Sequence, residues 1–95
     1  MRLTKIQHKS IKNTFLEVFK QGEIYLFGSR IDDTKKGGDI DLYIAPHNKD
    51  KLASKRIDFL VKLKKLIGEQ KIDIVFQKDK TRVIEQEAIR DGILL

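Results

Sequence analysis

The sequence predicts a small α/β domain: a mixed β-sheet with helices on one face. Three observations carry this prediction. Three short runs, Glu23 to Phe27, Asp39 to Ala45 and Lys71 to Gln77, place apolar residues at the two-residue period of a strand. The first two runs are joined by a short return and can pair antiparallel. The second and third are separated by a helical stripe from Lys49 to Ile67, long enough for a right-handed parallel crossover. With 95 residues, the chain has room for one core, so residues 1–95 are read as one domain.

Each element follows from local pattern. Thr4 to Gln21 reads as a helix. Thr4 and Gln7 have the spacing of a capping box, Ile11, Phe15, Val18 and Phe19 form the apolar stripe, and Gly22 is the expected stop. In the first strand Ile24 and Leu26 point one way, Tyr25 and Phe27 the other. Both faces are apolar, which predicts a central or well-covered strand. In the second strand Ile40, Leu42 and Ile44 share one face, with Asp39, Asp41 and Tyr43 on the other. Asn48 is the expected N-cap of the long helix. Its stripe is Leu52, Ala53, Phe59, Leu60, Leu63, Leu66 and Ile67, with Arg56 within it by angle, either snorkelling or paired with an acid. Gly68 ends it. In the third strand Ile72, Ile74 and Phe76 oppose Asp73, Val75 and Gln77. A last helix from Arg82 to Arg90 is entered from Asp79 or Thr81 and closed by Gly92, and Ile93-Leu94-Leu95 is an apolar tail expected to pack on the body.

Composition bounds the function. The chain has no cysteine, so disulfides and thiolate metal sites are excluded, which fits a reducing, cytoplasmic setting. The start of the chain is polar and basic, without the apolar core of a signal peptide, and no apolar run approaches the roughly 20 residues that span a bilayer. The net charge of +6 suits a nucleotide, RNA or an acidic protein partner, and equally a lysine-rich solvated surface. The scarcity of aromatics that would stand exposed, and the lack of an RNA-binding motif, argue against a nucleic-acid module. His8 and His47 have no ligand-spaced acid or second histidine and read as surface residues.

The candidate chemistry lies between Glu23 and Ala45, EIYLFGSRIDDTKKGGDIDLYIA. Asp39 and Asp41, two apart on a strand, project from one face, and Asp73 on the parallel neighbour falls beside Asp41. Neighbouring carboxylates repel, and a divalent cation removes that repulsion; hard oxygen ligands of this kind suit Mg²⁺. Gly28 would let phosphates approach the backbone, Ser29 and the following amides would donate to them, and Arg30 would add a charge-assisted contact. Together these residues read as two metal ions holding a nucleoside triphosphate for in-line attack at phosphorus. The competing reading is three solvated edge charges. Asp32 and Asp33 read as loop residues, and Gly37-Gly38 as backbone freedom before the second strand.

LFGSR, GGDIDLYI and KIDIVF together resemble the nucleotidyltransferase fold of the DNA polymerase β superfamily, with its palm-like sheet. Within it the chain is most similar to the minimal nucleotidyltransferases, antitoxins of HEPN-domain ribonuclease toxins, and the similarity extends to the ending EQEAIRDGILL. A lone Gly-Ser is a weak signal; Gly-Ser, then Asp-x-Asp among apolar residues, then a later strand acid is far more specific. The resemblance implies that Gly28 and Ser29 bind the phosphates, that Asp39 and Asp41 hold Mg²⁺, and that Asp73 completes the site and assists deprotonation of the acceptor. It further implies ATP as substrate, and transfer of AMP to a tyrosine of the toxin. Two departures stand out: only nine residues separate Ser29 from Asp39, and the arginine-glycine often found early in that loop is missing.

Two alternatives remain beside the transferase. One is a non-catalytic antitoxin that blocks its partner sterically. The other, a small-molecule transferase, would need an acceptor-binding domain for which 95 residues leave no space. With all helices on the far face, Tyr43, Val75 and Tyr25 or Phe27 are expected to lie partly exposed around the acids, so that a second protein or a second copy of the chain completes the site.

Overall fold

The structure is a computed structural model that describes residues 3–28, 39–78 and 82–95. Helix α1 spans Lys5–Phe19. It begins at the expected capping box: Gln7 N–H donates to Thr4 Oγ1 and Thr4 N–H to Gln7 Oε1, both at 3.0 Å. Its end differs from expectation. Lys20, with φ +72 and ψ −60, is the centre of a γ-turn closed by the Gln21 N–H donating to Phe19 O at 2.8 Å, and Gly22 is already the first residue of strand β1, Gly22–Phe27. Strand β2 is Ile40–Pro46 and pairs antiparallel with β1; strand β3, Ile72–Phe76, pairs parallel with β2.

The crossover helix α2 spans Leu52–Ile67, three residues shorter at its start than the stripe predicts. Asn48 does not cap it. Its Oδ1 accepts the Asp50 N–H at 2.8 Å, closing a tight turn, and Lys51 at φ +55 stands at the N-cap without a side-chain bond. Phe59 and Leu63 are buried and Leu52, Leu60 and Ile67 half-buried, while Ala53, Arg56 and Leu66 lie exposed. The stripe is thus narrower than expected, with Phe59 and Leu63 carrying the buried contact with the core. Gly68 caps α2 as predicted.

One face of the sheet carries the core. Ile24 and Leu26 of β1, Ile40, Leu42 and Ile44 of β2 and Ile72 of β3 meet Ile11, Phe15, Val18 and Phe19 of α1 and Phe59 and Leu63 of α2. Phe19 is the hub of an aromatic cluster, 5.5 Å from Phe15 and 5.9 Å from both Phe59 and Phe76 between ring centroids. Burying each such side chain contributes about 1.5–3 kcal/mol.

The chain's end departs from the sequence reading in two ways. The apolar tail is a fourth strand: β4, Ile93–Leu94, pairs antiparallel with β1, so that the order is β3-β2-β1-β4 and β1 is interior. Leu95 N–H donates to Ile24 O at 2.9 Å, and Lys12 Nζ of α1 donates to Leu95 O at 3.0 Å. The last helix α3, Val83–Asp91, lies on the opposite face from α1 and α2, so the helices are not all on one face. Its Glu85 reaches the hydroxyl of Tyr43, whose side chain leaves β2 on the side away from the core. Asp79 and Thr81, the expected caps of α3, lie outside the described residues.

Candidate active site

The site is built on the starts of two parallel strands. Strand period puts Asp41 on the face opposite Leu42, and the register pairs Asp41 with Asp73 across β2 and β3. On the other side Asp41 pairs with Phe27, so Gly28 follows directly beside it. Gly28 has φ +78, a backbone conformation that side chains rarely adopt, and a Cβ there would collide with Oδ2 of Asp41. The Gly28 turn and the Asp41 carboxylate are therefore in contact distance; the spacing predicts the turn at this sheet end but beside Asp39.

Asp41 is half-buried and Asp73 exposed. Burial first, and then the charges of Asp73 and Asp39, push the Asp41 carboxyl above the ordinary carboxylate range, against a downward pull from Lys71. Asp39 stands one residue before β2. Its Oδ2 is 3.5 Å from Nζ of Lys71, whose side chain is exposed while that of Asp39 is about half so. Lys71 was not singled out by sequence reasoning, although it lies two residues before Asp73 and strand period would put the two on one face. The carbonyl of Lys71 accepts the Ile40 N–H at 3.0 Å, which ties the two strand starts together.

The donor set suits a divalent hard cation: carboxylate oxygens on two adjacent strand starts, in mutual repulsion. Among the described residues no three acidic or histidine side chains are close enough to hold one ion together as they are placed. Of the three acids, Asp39 is the one paired with Lys71. Ser29 and Arg30, the predicted phosphate contacts, lie outside the described residues, as do Asp32, Asp33 and Gly37-Gly38.

A strand pair with a Gly turn against an Asp-x-Asp strand, and a further acid on the parallel neighbour, is the arrangement the motif spacing predicted. The family model described as "Polymerase beta, Nucleotidyltransferase" matches residues 9–95. The chain belongs to that family. No curated protein matches it. As a member, it carries a nucleotidyltransferase domain, of a kind that generally works with Mg²⁺ and nucleoside triphosphates. No helix among the described residues is long and apolar enough to cross a membrane.

In this nucleotidyltransferase the acid face is not open along its whole length. Tyr43, expected to be partly exposed, is fully buried. It stacks on Tyr25 at 5.9 Å and donates its hydroxyl to Glu85 Oε1 at 2.8 Å. Glu85 is itself fully buried: Lys78 N–H donates to both its oxygens at 3.2 Å and Arg82 Nε to Oε2 at 2.7 Å, while Arg82 Nη2 donates to Phe76 O at 3.3 Å. A buried carboxylate is tolerated only with such a set of donors. Burial, the carboxylate bond and the negative charge beside it raise the Tyr43 hydroxyl above its ordinary value. Sequence reasoning missed this cluster, and its one legible signal was Glu85 placed a helical turn from both Arg82 and Ala88. Tyr43 is thus not the exposed residue that was expected, because α3 covers it, whereas Tyr25, Phe27 and Val75 are half-buried, as expected.

Proposed function

We propose that this nucleotidyltransferase moves AMP from ATP to a hydroxyl of a protein partner, with a tyrosine of a HEPN-domain ribonuclease toxin as the acceptor and neutralisation of that toxin as the result. The observation that carries the transferase reading is the contact of Gly28 with Asp41 at the register where Asp41 meets Asp73. The motif resemblance supports the antitoxin role.

In this reading Asp39, Asp41 and Asp73 hold Mg²⁺, which would neutralise charge on the phosphates and on the departing pyrophosphate. The Gly28 backbone admits the phosphate chain, and Ser29 and Arg30 donate to it. The acceptor oxygen bonds to the α-phosphorus as the bond to pyrophosphate breaks. Asp73, the most solvated of the strand acids, takes the hydroxyl proton.

The test is the intact mass of the product of the neighbouring gene after incubation with this protein, ATP and Mg²⁺. A gain of AMP units is the expected result. An unchanged mass with a stable complex would favour a steric inhibitor instead.

A further inference from the structure

Among the described residues, Lys71 is the cation that approaches the acid site, and the motif reading gives it no role. Its ammonium is 3.5 Å from Asp39 Oδ2, and its charge also acts on Asp41. Its backbone is pinned, since its carbonyl accepts the Ile40 N–H at 3.0 Å, so the residue is anchored beside the starts of β2 and β3. Its side chain is 70% exposed, so a solvent-facing alternative is available to it.

We propose that Lys71 is a tethered counter-ion of the acid site: it holds Asp39 when no metal is bound, must release it when a divalent metal binds, and so sets the metal concentration at which the site fills. The inference rests on the reading of Asp39, Asp41 and Asp73 as a divalent-metal site. The reason is electrostatic. Three carboxylates without a cation repel one another, and an ammonium relieves part of that repulsion. A divalent ion relieves more, but only after Asp39 has left the lysine, and the displaced ammonium then faces an ion of its own sign. A monovalent ion has no such advantage over the tethered ammonium, so Lys71 favours divalent over monovalent occupancy. Once displaced, the lysine is free to meet the phosphate chain that arrives with the metal.

The experiment titrates the metal-free protein with Mn²⁺ and follows paramagnetic broadening of the Asp41 and Asp73 amide resonances, for wild type, Lys71→Gln and Lys71→Arg. The thermal midpoint of each is measured in chelator. Because an exposed ion pair is weak, the Gln variant is expected to bind Mn²⁺ about fivefold more tightly. It should also melt lower than wild type without metal, since nothing then offsets the carboxylates. The Arg variant should keep wild-type affinity within about twofold, because the charge is retained. In an Asp39→Asn background the Lys71→Gln change should lose most of its effect. Equal or weaker Mn²⁺ binding by Lys71→Gln, with the same two amides broadened, overturns the inference alone. Absence of broadening at Asp41 and Asp73 in every protein overturns the metal-site reading itself, and the inference with it.

Discussion

Asp41 is the side chain on which the site's electrostatics converge. Its carboxyl is held above the ordinary value near 3.8 by burial and by two like charges. The native state therefore binds that proton more tightly than the unfolded chain does. Stability falls as pH rises from the ordinary value through the raised one, and the full penalty stands at neutral pH. Asp41→Asn removes the penalty. The variant should lose transfer activity by about a hundredfold or more, yet melt above wild type at pH 7 without metal, with the two curves converging as pH falls below 3.8. A melting scan across pH, in chelator, checks this. Glu85 and Tyr43 behave in the opposite way, because their partners are satisfied. Tyr43→Phe removes a donor from a buried carboxylate and should cost about 1.5–3 kcal/mol. Glu85→Ala leaves the tyrosine hydroxyl buried without its acceptor and should cost about 3–5 kcal/mol. Denaturant unfolding of the two variants measures both, and a Tyr43→Phe protein of wild-type stability would contradict the buried bond.

Among the elements, α3 and β4 decide more than their length suggests. Nine residues of helix and two of strand close the acid face on one side and the sheet edge on the other. The joint between them is Gly92. It has an ordinary φ, but a Cβ there would collide with Ala88 O and come within 3.1 Å of Leu26 O. Both are backbone atoms, so relief requires the helix to shift against β1. Gly92→Ala should therefore destabilise by about 1–3 kcal/mol, lowering the thermal midpoint by roughly 4–8 °C for each kcal/mol in a domain of this size. Calorimetry of the single variant is sufficient. The starts and ends of the longer helices show why boundaries resist sequence reading. Lys20 and Lys51 adopt positive-φ backbone where a glycine or a capping side chain would ordinarily serve, and no local preference announces either.

For the whole molecule, the acids lie at the mouth of the sheet, while the core and both long helices are behind it. The site can therefore fill without rearranging the core. Divalent metal alone meets carboxylates partly satisfied by Lys71, whereas metal with a nucleoside triphosphate also brings phosphate ligands and a counter-charge for the lysine. Mg²⁺ in proteins keeps several waters and depends on substrate phosphates to complete its shell. Millimolar Mg²⁺ and ATP together should raise the thermal midpoint well beyond the sum of their separate effects. A midpoint indifferent to the pair would count against the enzyme reading. Ligand stabilisation at about 100 times the dissociation constant amounts to about 2.7 kcal/mol, a shift that scanning fluorimetry resolves easily.

Much of this molecule was legible in its residue order. The α1 capping box, the strands around Ile24, Leu42 and Ile74, the parallel and antiparallel pairings, and the meeting of Asp41 and Asp73 all follow from period and spacing, because strand period and short connections leave few other arrangements. The burial of Tyr43, the strand formed by Ile93 and Leu94, the side on which α3 lies and the attachment of Asp39 to Lys71 were decided only in three dimensions. Each depends on a partner distant in sequence. Glu85 is 42 residues from Tyr43, Leu95 is 83 from Lys12, and neither end of such a pair carries a local mark of the other. Local pattern determined which side chains share a face. Tertiary packing determined which faces are covered, because coverage is a property of the surface left over once every other element has been placed.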